Sequence, residues 1–154
     1  MKIVLTLLIF ITFFTACVDK NGFDNFHFSL EQEQWENNFI SSKIEDKIGF
    51  QGTISAVYLN KVFPQKYKEN EYFYIALYLK GGKQLLLYTL NSNNSLSVQE
   101  LTNNNEFQNF MHSSNKWNRY FLVEFAEQKD IDVLSFEAKN ETLSSSTMIF
   151  KKDE

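Results

Sequence analysis

Residues 72–91 read YFYIALYLKGGKQLLLYTLN, and this stretch carries the strongest structural signal in the chain. Two runs of aromatic and aliphatic residues are joined by Gly81-Gly82, a pair that favours the tight primed turn of a β-hairpin. The pattern therefore predicts a hairpin from Tyr72 to Asn91. Apolar residues occupy both alternating faces of the runs, so we expect the hairpin to lie centrally, covered on both sides.

The two faces of the first run differ in character. Phe73, Ile75 and Leu77 share one face, and this mostly aliphatic face is typical of a core. The opposite face carries three tyrosines, Tyr72, Tyr74 and Tyr78. If a helix covers these tyrosines they belong to the core, and if none does they form an amphipathic strip that a partner can bind.

Further strand patterns lie on both sides of this stretch. Residues 50–63 alternate loosely, and Gly52 within them predicts a bulge or a tight bend. Strand patterns also occupy residues 96–101, 117–127, 133–138 and 147–151, with a short helix around residues 107–111. The connections are too short for parallel crossovers, which favours antiparallel pairing.

A helix is predicted before the first strand. Ser29-Leu30-Glu31-Gln32 is a capping-box pattern, which marks a helix N-terminus. Apolar residues then recur at helical spacing, at positions 35, 39, 40 and 44. These signals together predict a helix over residues 30–46.

The order of elements predicts the fold class. We expect residues 29–154 to form one mainly β (α+β) domain, since a chain of 154 residues suits a single domain. The expected architecture is a small antiparallel β-barrel or a strongly curved sheet, with the N-terminal helix packed on it. From Phe50 to Ala138, three meandering strands, a helix and two more strands resemble the order of an OB-type barrel.

Composition excludes several other classes. The chain has one Pro, five Gly and one Cys, with 44% hydrophobic residues, so it is not a disordered chain, a collagen-like repeat or a disulfide scaffold. Its formal net charge of −4 argues against nucleic-acid binding, which requires a basic face.

The first residues have the pattern of an export signal. Lys2 precedes an apolar run of twelve residues from Ile3 to Phe14. A helix of that length reaches about 18 Å, well short of the roughly 30 Å hydrocarbon layer of a membrane. The run is therefore expected to be a secretory signal peptide rather than a transmembrane helix.

The run ends in Phe14-Thr15-Ala16-Cys17, which resembles the lipobox of bacterial lipoproteins except that Phe14 stands where Leu is commonest. The resemblance implies that residues 1–16 are removed by signal peptidase II and that Cys17 carries a diacylglycerol anchor. Residues 17–28 would then be a short tether. In lipoproteins of some Gram-negative bacteria an Asp after the cysteine retains the protein at the inner membrane. With Val18 in that position, the resemblance implies a lipid-anchored place at the outer membrane, facing the periplasm.

The sequence offers few candidate catalytic side chains. His27 and His112 have no partner at metal-ligand spacing, so no metal, cofactor or catalytic residue is predicted. Trp117 and Arg119, the only arginine, are expected on one strand face, where a cation–π or carboxylate-binding site is conceivable.

The sequence thus predicts a lipid-anchored binding protein of the cell envelope that is not an enzyme, with a protein partner and no nucleic-acid partner. Its candidate binding face comprises Tyr72, Tyr74, Tyr78, Trp117 and Arg119. An immunity or inhibitor protein is one form of this hypothesis. Two alternatives stay open: a structural assembly lipoprotein of a secretion or envelope complex, and a cell-wall hydrolase that works through carboxylates the sequence does not pair.

Overall fold

The computed structural model describes residues 29–81, 84–111 and 115–152. The expected signal peptide over residues 1–16, the tether over residues 17–28 and the lipidated Cys17 lie outside the described residues. They remain predictions.

The first element is the α-helix α1, Leu30–Asn37. It is capped at the expected place, because the Ser29 hydroxyl accepts a hydrogen bond from the Gln32 backbone N–H at 3.1 Å. The Gln32 side chain donates to Glu36 at 3.1 Å. Along the described ranges, no helix combines the length and the apolar character needed to cross a membrane.

The prediction of a helix over residues 30–46 is wrong in its second half. The helix ends at Asn37, and a β-strand occupies Phe39–Asp46. Ile40 and Ile44 are four positions apart, which places them on one face of a helix but equally on one face of a strand. In the strand Ile44 is fully buried while its two neighbours are exposed, so the two-residue period prevails.

The described part of the chain forms ten strands and two further short helices. The strands are β1 Phe39–Asp46, β2 Gly49–Tyr58, β3 Glu71–Leu79, β4 Leu87–Leu90, β5 Asn93–Asn94, β6 Ser97–Leu101, β7 Arg119–Phe125, β8 Val133–Lys139, β9 Ser144–Ser145 and β10 Met148–Lys151. The short helices are α2, Leu59–Val62, and a 3₁₀ helix, Gln108–Phe110.

All strand pairs are antiparallel and belong to one curled sheet with the form of a half-barrel. Nine strands follow the order β5-β4-β8-β9-β1-β2-β3-β7-β6, and β10 pairs with β8. Between β5 and β6, the Ser95 N–H donates to the Tyr88 carbonyl at 3.1 Å and the Leu96 N–H donates to the Glu124 carbonyl at 2.7 Å. The predicted fold class, mainly β with a strongly curved antiparallel sheet and a helix on it, is confirmed.

The predicted hairpin from Tyr72 to Asn91 is wrong. Strand β3 pairs with β2 on one side and β7 on the other, and β4 pairs with β8 and β5. Gly81 does adopt the left-handed conformation, with a φ of 76°, but the chain leaves β3 there instead of folding back on it. Because β3 is apolar on both faces, two long partner strands bury it better than one local partner does.

The two faces of β3 contribute to two separate cores, as its alternation predicts. Phe73, Ile75 and Leu77 point into the concave side of the sheet, here called the inner core. The Phe73 ring packs there against the rings of Phe136 and Phe150, at centroid distances of 5.1 and 5.2 Å. This aromatic packing fills the curl of the sheet.

The opposite, outward side of the sheet is covered over part of its area by α1. Trp35 of α1 is 2% exposed and lies against Tyr74 of β3, with their ring centroids 5.4 Å apart. Phe107 and Phe110 stack on Trp35 at 5.9 and 5.2 Å. We call this cluster the outer core.

A buried carboxylate ties the first residue of β3 to the end of the chain. Glu71 is 2% exposed and accepts hydrogen bonds from the Tyr58 hydroxyl at 2.6 Å and from the Gln128 N–H at 2.9 Å. Lys152 forms an ion pair with the same carboxylate at 2.5 Å. Each oxygen of Glu71 has a partner, which makes this cluster a structural one.

Candidate functional site

The structure divides the five residues of the predicted binding face among three environments. Tyr74 is buried in the outer core. Tyr72 and Arg119 each donate a hydrogen bond to a carboxylate of the same chain. Tyr78 and Trp117 line one open groove.

Tyr74 is a core residue. It is 1% exposed, its ring lies 4.8 Å from that of Phe107, and it stacks on Tyr120 at 5.9 Å with an interplanar angle of 12°. Its hydroxyl accepts a hydrogen bond from the Gln108 side chain at 3.2 Å. Burial raises the pKa of the Tyr74 hydroxyl, so this group stays neutral and is not available to a partner.

Tyr72 belongs to a polar cluster around Glu124. The Glu124 carboxylate accepts hydrogen bonds from the Asn70 amide at 2.7 Å, the Tyr72 hydroxyl at 3.0 Å and the Ser97 hydroxyl at 3.0 Å. These bonds, that from Asn70 foremost, lower the pKa of the Glu124 carboxyl although partial burial opposes them. The Tyr72 hydroxyl thus joins β3 to β7.

Arg119 is also satisfied within the chain. Its guanidinium donates two hydrogen bonds to Glu100 of the neighbouring strand β6, at 2.8 and 2.9 Å, and lies 4.9 Å from the Phe121 ring. The bonds to Glu100 raise the pKa of the Arg119 guanidinium. The conceivable carboxylate-binding site at this arginine is therefore filled by the protein's own glutamate.

Trp117 does not lie on a strand face beside Arg119, as was predicted. Strand β7 begins at Arg119, and Trp117 precedes it in a turn. The polar residues Asn115 and Asn118 flank Trp117 and form that turn, and turn chemistry overrides the aromatic β-propensity of Trp117.

Tyr78 and Trp117 are brought together in a groove at the uncovered end of the outward face. Its volume is about 480 Å³, and it is lined by Thr53, Tyr78, Asn115, Trp117 and Asn118. Thr53 of β2 lies directly across from Tyr78 of β3 in the sheet, so these two side chains share the outward face. The sheet and the turn before β7 thus form the two sides of the groove.

The turn that carries Trp117 is fixed by four hydrogen bonds. The Asn118 N–H donates to the Asn115 carbonyl at 3.0 Å, and the Trp117 N–H donates to the Asn115 side-chain oxygen at 3.0 Å. The Tyr120 hydroxyl donates to the Asn115 carbonyl at 3.2 Å and accepts from the Asn115 N–H at 3.3 Å. Trp117 itself is 68% exposed, so a rigid turn presents a large aromatic ring to solvent.

The groove also offers unused hydrogen-bonding groups. Within the described residues, no hydrogen bond engages the Thr53 hydroxyl, the Tyr78 hydroxyl, the Trp117 indole N–H or the Asn118 side-chain amide. The amide nitrogen of Asn115 is likewise unengaged there. The five lining residues that the structure describes are uncharged, and they supply both donors and acceptors.

Lysines stand near this uncharged lining. Lys43 of β1 is exposed and lies directly across from Thr53 in the sheet. The Lys116 ammonium lies over the Trp117 ring, 5.1 Å from its centroid. Lys80 follows Tyr78 by two positions, with its ammonium 3.0 Å from a backbone carbonyl of β2.

Sequence reasoning missed three of the five groove residues. Thr53 lies more than sixty positions before Asn115 and Asn118 in the sequence. Only the paired sheet brings these three residues together. A usable signal existed in Asn115 to Asn118, where two turn-forming asparagines enclose a tryptophan.

Other candidate chemistry is not brought together. Across the described parts of the chain, no three His, Cys, Asp or Glu side chains cluster as a metal ion would require. His27 and His112 lie outside the described residues. Comparisons with protein-family models, with curated proteins and with solved structures find no match to this chain.

Proposed function

We propose that this protein is a lipid-anchored binding protein of the bacterial cell envelope, without catalytic activity of its own, and that the open groove holds its partner. The lipobox-like sequence ending at Cys17 supports the anchor. The observation that carries the binding role is Trp117, a tryptophan 68% exposed beside Tyr78 on a hydrogen-bonded turn.

Rigid exposed aromatic rings favour binding for an energetic reason. A partner that covers Trp117 removes a large apolar surface from water, which stabilises the complex. Because the turn is already fixed by its hydrogen bonds to Asn115, little conformational entropy is lost when the complex forms. Exposed tryptophan and tyrosine are accordingly enriched among the residues that dominate binding energies.

The expected position of the protein suits this role. Lipid on Cys17 and a tether over residues 17–28 would hold the domain at the outer membrane, facing the periplasm. The partner is then another macromolecule of the envelope. An inhibitor or immunity protein that blocks an enzyme there is one form of the same proposal.

The anchor is tested by replacing its sulfur. We expect Cys17→Ser to abolish labelling of the protein by radioactive palmitate and to release the domain from the membrane fraction. Labelling that persists in this variant would refute the anchor.

The binding role is tested by photo-crosslinking in intact envelopes. A benzophenone amino acid at position 117 should attach to an envelope component. The same amino acid at position 149, whose isoleucine is 47% exposed on β10, is the matched control and should attach to none. Equal crosslinking at the two positions, or none at position 117, would contradict the proposal.

A further inference from the structure

The lining of the groove indicates what kind of ligand it takes. The five described residues that line it are uncharged, and among the described residues no hydrogen bond engages their two hydroxyls, the Asn118 side-chain amide, the Asn115 amide nitrogen or the Trp117 indole N–H. A ligand that fits must therefore have many groups that donate and accept hydrogen bonds, and one flat apolar surface that can lie on an aromatic ring.

A sugar ring has this combination of properties. Its hydroxyls both donate and accept, and its axial C–H groups form an apolar face that packs against aromatic side chains. We infer that the groove binds a sugar ring of a neutral envelope glycan, with Trp117 as the stacking surface and with Tyr78 and Asn118 as hydrogen-bonding residues. This inference rests on the proposed binding function and names the chemistry of its partner.

The geometry of Trp117 sets how the ring is placed. The Lys116 ammonium lies over one face of the indole, 5.1 Å from the ring centroid, so the sugar takes the other face. Trp117 lines the groove together with Thr53 and Tyr78, which pair with each other on the sheet side of it. The sugar is then held between the turn and the sheet.

Other ligand chemistries fit less well. An anionic ligand gains most from a cation inside its site, whereas the described lining is uncharged and the described lysines lie beside it: the Lys116 ammonium over the Trp117 ring and the Lys80 ammonium at a backbone carbonyl of β2. An apolar peptide would cover the hydroxyls and amides of the lining without replacing their bonds to water, and each polar group left unpaired in this way weakens the complex. A hydroxyl-rich neutral ring avoids both costs.

The test is a fluorescence titration of the full lipidated chain in detergent micelles. The probes are two neutral oligosaccharides, a tetramer of N-acetylglucosamine and a tetramer of glucose, with an oligosaccharide of uronic acids as the charged comparison. We expect at least one neutral tetramer to shift the tryptophan emission saturably, with a dissociation constant of about 1 mM or tighter. Uronic acids should bind more weakly than the neutral tetramer.

Matched variants assign the response to the groove. Trp117→Phe should abolish the emission shift, and Asn118→Ala should weaken binding about ten-fold. Asn94→Ala changes an exposed asparagine on β5 outside the groove and should leave affinity unchanged. Tyr78→Phe removes only one hydroxyl, so it tests the same site with little effect on folding.

The results separate this inference from the proposed function. If neither neutral tetramer binds, or if Asn118→Ala and Tyr78→Phe leave the affinity unchanged, the sugar site is refuted. If position 117 still crosslinks to an envelope protein in that case, the proposed binding function stands and only the glycan is wrong. If uronic acids bind most tightly, the inference of a neutral ligand is also overturned.

Discussion

Tyr74 and Tyr78 lie on the same face of the same strand, four residues apart, and have opposite roles. Tyr74 is 1% exposed beneath Trp35, whereas Tyr78 is partly exposed and lines an open groove. The two residues differ because α1 is short: its eight residues extend about 12 Å, so it covers the sheet at Tyr74 and leaves Tyr78 uncovered. The role of a residue on this face therefore depends on which element covers it.

The two tryptophans of the chain repeat the contrast. Trp35 is 2% exposed and packs among the rings of the outer core, whereas Trp117 is 68% exposed. Both are large aromatic residues of the kind expected in a core, and only one is in a core. We accordingly expect changes in the covered half to lower stability and changes in the uncovered half to lower binding.

The largest effect is expected at Trp35. Trp35→Ala removes the ring that joins α1 to the sheet, and it should lower the free energy of unfolding by about 3–5 kcal/mol. Urea unfolding followed by circular dichroism measures this loss. Trp117→Ala is the matched control and should change stability by less than about 0.5 kcal/mol. Similar losses in both variants would contradict the contrast between the two regions.

A smaller effect is expected at Gly52, the neighbour in the chain of the groove residue Thr53. A Cβ there would collide with the backbone carbonyl oxygen of Tyr78, because β2 and β3 pass close to each other at this position. Gly52→Ala should therefore cost about 1–3 kcal/mol of unfolding free energy in thermal or urea denaturation. Gly81→Ala, where a Cβ has open space but φ is 76°, should cost less, about 1 kcal/mol.

The two tyrosine hydroxyls provide a finer test. Tyr74→Phe removes the partly buried acceptor of the Gln108 amide, so we expect a loss of about 0.5–1.5 kcal/mol in unfolding free energy. Tyr78→Phe removes a hydroxyl that forms no hydrogen bond among the described residues, and its stability should match that of the unaltered protein. If Tyr78→Phe is the more destabilised variant, the assignment of core and groove is wrong.

The smallest effect is the pH dependence of stability that Glu124 contributes. The pKa of Glu124 is lowered in the folded protein by its hydrogen bonds, that from Asn70 first, so this carboxylate stabilises the fold above its ordinary pKa of 4.5. That contribution is lost as the pH falls through the lowered folded pKa. Between about pH 6 and about pH 3, the free energy of unfolding should therefore fall by about 0.5 kcal/mol less in Glu124→Gln than in the unaltered protein. Parallel losses in urea titrations at the two pH values would contradict this role of Glu124.

Local signals in the sequence predicted several features correctly. The Ser29 cap forms as its capping pattern indicates. The pairing of β1 with β2 shifts register next to Gly52, which was predicted to mark a bulge or bend. The two-sided burial of β3 follows from its alternating apolar faces. Each of these depends on a few consecutive residues.

Features that depend on distant segments were not predictable in the same way. The Gly81-Gly82 pair indicates a turn, but only competition from β2 and β7 decides that β3 does not pair with β4. The spacing of Ile40 and Ile44 suits a helix and a strand equally. The groove combines Thr53 with the turn at Asn115, and no local sequence pattern predicts that these two segments lie together.

The central claim, that the outward face is covered at one end and open at the other, is tested most directly by acrylamide quenching of fluorescence. The chain has two tryptophans, so Trp35→Phe and Trp117→Phe each leave a single reporter. We predict strong quenching of Trp117 in the first variant and weak quenching of Trp35 in the second, with circular dichroism to show that both are folded. Equal quenching of the two, or stronger quenching of Trp35, would contradict the account.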